Sequence, residues 1–139
     1  MNKSWMLAGA LGCMVNGAEA APSAPADVKP VTRVELMTAD IQPPTPVSHV
    51  RVQELTLASG IKAPLHLHPC PTMGVVREGE ILFQIEGRAP QHLKAGDAFY
   101  EPVNMRIVAF NNEGTTPAKF TVFYLLKEGE QETLRLLPR

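Results

Sequence analysis

The sequence predicts an all-β protein, an antiparallel sandwich or barrel, on three observations. Short runs rich in Val, Ile, Phe and Thr recur along the chain, tight Gly-marked connections separate them, and no stretch sustains the apolar period of a helix. Thirteen Pro and ten Gly among 139 residues fit many turns and short extended segments. With 45% hydrophobic and 19% charged residues the chain has the composition of one that folds around a core, not of a disordered one. A mass of 15.1 kDa leaves no room for a second catalytic domain.

The first segment stands apart from that pattern. Residues 1–20 carry one basic residue, Lys3, then an apolar run over 5–15, and end on Ala18-Glu19-Ala20, a small-x-small sequence. This is the layout of a secretory signal peptide cleaved after Ala20, and it predicts a periplasmic or secreted product. The apolar run is shorter than the roughly 18 residues that span a bilayer, so no membrane span is expected. Leu11-Gly12-Cys13 resembles a lipoprotein cleavage site and supplies the competing reading, a lipid on Cys13. After cleavage at Ala20 only Cys70 remains, so the mature chain forms no internal disulfide and depends on its core.

Residues 21–46 hold six prolines and many small residues, which predicts a flexible leader and an arm with one short apolar alternation at 34–37. The β-domain is expected over 47–139. Its first strand, 47–57, ends at Ser59-Gly60; the second run covers 61–68. The third, 73–77, turns at Glu78-Gly79 into the fourth, 81–86, which closes on Glu86-Gly87. Ala95-Gly96-Asp97 leads into 98–101, and 107–110 ends before Glu113-Gly114. Runs at 120–126 and 133–137 complete the set. Gly at these turns supplies positive φ, and Asp tolerates turn geometry. Val75, Val76, Ile81, Phe83, Ile85, Phe99, Phe110, Phe120, Val122, Tyr124 and Leu126 are the expected core, joined by Leu55, Leu57 and Leu65. No internal repeat is present, so a single barrel is expected.

Charge excludes one class of partner. Thirteen Lys and Arg against fourteen Asp and Glu give a net charge of −1, which offers no basic field for a phosphate backbone; no nucleic-acid partner is expected.

The residues that carry chemistry begin with His66 and His68. Two positions apart in a strand, they share a face and aim two imidazoles at one point. Two nitrogens are half a metal site. Gly60, five residues, His66-Leu67-His68, then Cys70-Pro71-Thr72 and the run from Gly74 to Gly79 are similar to the first motif of the cupin superfamily. Gly96-Asp97-Ala98-Phe99-Tyr100-Glu101-Pro102, with Asn104 where that family has Gly and Asn111 further on, resembles the second. The two motifs cover residues 60–111. The resemblance implies an antiparallel double-sheet jelly-roll β-barrel of the cupin type, commonly a homodimer. An open sheet edge and the 34–37 arm offer a physical route to that dimer.

The resemblance also implies a divalent metal held by the two histidines of the first motif, a glutamate three or four residues on, and a histidine in the second motif. Here those last two positions are Thr72 (or Met73) and Ile107. A threonine hydroxyl is neutral and an isoleucine has no lone pair, so half of that ligand set is missing. The expectation is a pocket beside Thr72 and Ile107 that binds a small organic molecule, with any divalent transition metal held weakly or not at all. Two alternatives stand beside it: a metal-dependent oxygenase or isomerase using His66 and His68, and a periplasmic copper or zinc binder drawing on the sulfur of Cys70, Met73 or Met105. Pro69 and Pro71 argue that Cys70 has left the strand, and methionines more often fill gaps in a core. His49 and His92 read as surface residues. Glu101 and Tyr100, beside the second motif, either line the barrel mouth or pack outside it.

Overall fold

In β8 (Ala118–Leu126) every second residue is buried: Ala118, Phe120, Val122, Tyr124 and Leu126 point one way. This alternation is the period of an extended strand with one face on the core. The structure, a computed structural model, describes residues 31–138, and its strands fall within the unit 34–139. The remaining strands are β1 (His49–Leu57), β2 (His66–Leu67), β3 (Thr72–Glu78), β4 (Glu80–Ile85), β5 (Gln91–Lys94), β6 (Ala98–Glu101), β7 (Ile107–Asn111) and β9 (Arg135–Leu136); no helix forms among the described residues. The expected signal segment over 1–20, including Cys13, and residues 21–30 of the expected leader lie outside them. No helix of the described residues is long and apolar enough to cross a membrane.

The strands form two antiparallel sheets, ordered β1-β8-β3-β6 and β5-β4-β7-β2-β9. The expected double-sheet jelly roll is therefore present, but the ladders do not join into a closed barrel: β1 and β6 end one sheet, β5 and β9 the other. Between the sheets lie the rings of Phe83, Phe99, Phe110 and Phe120. Phe110 is at the centre, with centroid separations of 6.0 Å to Phe83, 5.3 Å to Phe99 and 4.9 Å to Phe120. These are distances at which tilted and edge-on aromatic pairs attract beyond their area burial. Gly74 of β3 pairs with Phe99 of β6. A Cβ on Gly74 would lie 2.7 Å from the Thr121 carbonyl oxygen and 2.8 Å from a Phe99 ring carbon, so only glycine lets that ring lie across the strand.

Three local expectations shift. The alternation at 34–37 forms no strand, and Val34 and Leu36 are exposed, so no burial offsets the cost of ordering it. The run 61–68 contracts to the two-residue β2, because Pro64 has no N–H to give a ladder. β5 was not expected at all, since of Gln91, His92, Leu93 and Lys94 only Leu93 is buried.

Candidate metal centre

Glu101 ends β6 and Thr72 begins β3; they are paired, and Thr72 is paired on its other side with Tyr124 of β8, itself opposite Arg51 of β1. The row Arg51, Tyr124, Thr72, Glu101 thus crosses one sheet on its inner face. From the opposite sheet β2 brings His66, and the residue after β2's end brings His68. The Nε2 of His68 lies 3.0 Å from one Glu101 carboxylate oxygen and the Nε2 of His66 lies 3.9 Å from the other. All three side chains are buried, at 5%, 3% and 3% exposure for His66, His68 and Glu101.

The other face of each imidazole is already committed. His66 Nδ1 lies 2.7 Å from the Pro64 carbonyl oxygen and His68 Nδ1 makes a short bond to that of Thr133. A carbonyl only accepts, so both Nδ1 atoms donate, and in the neutral rings both Nε2 atoms carry lone pairs. Two lone pairs then face one carboxylate, an arrangement of acceptors that only a proton or a metal cation satisfies. A backbone carbonyl on the far nitrogen is also how proteins orient metal-ligating histidines. The donor atoms lie within 4.8 Å of one another. Metal–nitrogen and metal–oxygen bonds of about 2.1 Å at right angles separate their donors by about 3 Å, so the His68–Glu101 spacing fits a shared ion.

The electrostatics point the same way. Burial alone would push the His66 imidazolium down, yet Glu101 and the Pro64 carbonyl outweigh it and hold its pKa above the ordinary value. Burial alone would push the Glu101 carboxyl up, but the two imidazoles beside it, when protonated, outweigh that and hold it below the usual range. The carboxylate form is thus the stable one in this buried place.

The second motif braces the same point. Asn104 stands where glycine is expected and adopts a positive φ of 59°, a conformation that asparagine tolerates better than most residues. Its N–H donates to the His68 carbonyl oxygen at 2.8 Å. A cavity of about 150 Å³ opens on the three side chains and is otherwise walled by Leu55, Leu57, Ala63, Phe99, Phe110, Phe120, Val122, Tyr124 and Leu134.

The other residues singled out in the sequence fall around this group. Thr72 is fully buried beside Glu101, its hydroxyl donating to the Cys70 carbonyl oxygen at 3.1 Å. Ile107 is buried directly opposite His66 in the β2–β7 pair. Neither wall of the cavity includes them. Cys70 is buried, its Sγ 3.8 Å from the Thr72 hydroxyl. Met73 lies between Tyr100 and Phe123 in its row, half-buried and out of phase with the inward Thr72 and Gly74. Met105 is part-exposed and lines a separate groove beside residues 37–42. His49 and His92 are exposed. The carboxylate that Thr72 does not supply comes from Glu101, whose inward sense only the strand pairing reveals.

Comparison with known proteins agrees with this architecture. No curated protein matches the chain. Among solved structures, an oxalate oxidase in complex with the substrate analogue glycolate is similar at 25% identity and a TM-score of 0.55, over 63% of this chain and 46% of that one. The DMSP lyase DddQ from Ruegeria pomeroyi is similar in fold at 21% identity and a TM-score of 0.54, over 63% of this chain and 42% of that one. An uncharacterized conserved protein with a double-stranded beta-helix domain from Klebsiella pneumoniae subsp. pneumoniae is similar in fold at 23% identity and a TM-score of 0.52, over 65% and 76%. This chain thus spans less than half the length of the oxalate oxidase and the lyase. The cupin domain family matches residues 53–124, over both motifs, and the chain belongs to that family.

Proposed function

We propose that this cupin binds a small organic molecule at a divalent transition metal held by His66, His68 and Glu101. The observation that carries the reading is the convergence of two Nε2 lone pairs on one buried carboxylate, with both Nδ1 atoms tied to backbone carbonyls. Two imidazoles and a carboxylate suit iron, manganese or zinc and leave coordination positions open for a ligand. None of Cys70, Met73 and Met105 lines the cavity beside the histidines, which disfavours a sulfur-ligated copper site. When bound, the metal supplies Lewis acidity to an oxygen donor of the ligand. The residues orient: Pro64 and Thr133 fix the two rings, and Glu101 sets the negative charge opposite them. Elemental analysis and metal titration test the reading. One equivalent of metal is expected, with Glu101→Gln lowering affinity at least about 100-fold. A metal-free native protein that takes up none would overturn it.

Catalysis of the oxygenase or isomerase kind is the second reading. Its support is the open coordination sphere together with the 25% identity to an oxalate oxidase over part of the chain. Turnover that depends on added metal and is lost in Glu101→Gln would establish it.

We also infer a homodimer, formed through the outer face of the four-stranded sheet. Val52, Phe123, Met73 and Tyr100 make a row across all four strands on that face, flanked by Val50 and Leu125. Val50 and Val52 are about half exposed, and the buried Tyr100 hydroxyl has no hydrogen-bond partner. A sheet apolar on both faces is one that is covered on both. Light scattering should give twice the chain mass, and Val52→Lys with Met73→Lys should return the monomer. The export reading is a proposal too, tested by N-terminal sequencing of the secreted protein for cleavage after Ala20.

A further inference from the structure

We propose that the cavity selects a small monoanion with an apolar body, its single negative group on the metal, and rejects dianions of similar size. The inference rests on the metal-centre reading above and deepens it.

Size sets the first limit. A cavity of about 150 Å³ accepts a body about as large as benzene. Its approach is apolar as well, since Leu55, Leu57, Ala63 and Leu134 are the part-exposed members of its wall. Charge sets the second limit. A divalent ion with Glu101 ionised and two neutral imidazoles carries a net charge of +1. One carboxylate or enolate from a ligand brings the centre to zero. A second negative group would sit against Phe99, Phe110, Phe120 and Val122 with no countercharge, and an unpaired buried charge is costly. No lysine, arginine, asparagine or glutamine lines the cavity. Arg51 ends the inner row beside Tyr124, but its guanidinium is held by Gln131 through the backbone oxygen at 3.2 Å and the side-chain oxygen at 3.0 Å. Only the Tyr124 hydroxyl remains as a neutral polar group to meet the second oxygen of a bound carboxylate.

The test uses the full chain loaded with Co²⁺, whose visible absorption reports both occupancy and ligand binding. Butyrate and succinate, which differ by one carboxylate, are titrated, with benzoate as the size probe. Butyrate and benzoate should perturb the bands and bind at least about tenfold more tightly than succinate. Leu55→Lys, a substitution at the part-exposed rim, should narrow or reverse that preference. Absence of Co²⁺ bands would sink the metal reading and this inference with it. Co²⁺ bands with succinate bound as tightly as butyrate, or with no carboxylate bound, would leave the metal centre standing and overturn the selectivity. An unchanged preference in Leu55→Lys would overturn the charge argument.

Discussion

Thr72 and Glu101 face one another across the β3–β6 pair, on the same inner face of the sheet. A carboxylate at either position projects toward the point where His66 and His68 converge, because directly opposed residues have Cβ atoms only about 5 Å apart. The cupin-like first motif loses its glutamate at Thr72, and a neighbouring strand supplies one. The group that could hold a metal is thus completed across a pair of strands instead of within one.

That relationship is testable by exchange. Glu101→Thr should abolish tight metal binding. The double variant Thr72→Glu with Glu101→Thr should recover at least part of it in a calorimetric titration. Recovery no better than the single variant would show that the two positions are not equivalent.

Gly74→Ala forces a methyl group against the Phe99 ring and the Thr121 carbonyl. Overpacking of this kind costs about 1–3 kcal/mol. The urea midpoint should fall accordingly, while Gly96→Ala, where a Cβ meets nothing within 4 Å but φ is +94°, tests backbone strain separately.

Asn104→Gly should leave stability unchanged or slightly raised, since glycine adopts positive φ freely. Asn104→Val should cost about 1–3 kcal/mol, because a β-branched residue is poorly tolerated there. Chemical denaturation of the pair measures the difference. The valine variant should also bind metal less well, as the Asn104 N–H holds the His68 carbonyl.

Phe110→Ala removes the ring at the centre of the aromatic cluster and should cost about 3–5 kcal/mol. Phe83→Ala, which breaks contacts at 5.8 Å and 6.0 Å near the rim of the same cluster, should cost less. Thermal melts of the two variants rank them.

Much of the fold is legible in the sequence because the strand period and the glycine turns are local signals. The runs that became β4 and β8 announce themselves through alternating apolar residues, and those that became β3, β6 and β7 through short apolar stretches beside turn signals. β5 does not, since one buried leucine among polar residues carries no period. His66 and His68 are legible as a pair because two-residue spacing fixes their common face. Glu101 is different: its sequence neighbours say only that it lies near a turn, and its sense depends on the β3–β6 register, a long-range property. Cys70 illustrates the opposite case. Its nearness to the histidines in sequence suggests ligation, but Pro69 and Pro71 turn the chain, and its thiol ends against Thr72.

The bond from His68 to the Thr133 carbonyl joins residues 65 positions apart, and His66 is paired in the same region with Leu136. During synthesis the two imidazoles leave the ribosome long before the backbone that orients them. A nascent chain therefore carries the histidines without a formed site. The group that could hold a metal is assembled only after translation of this domain, once residues 133–136 lie against His66 and His68.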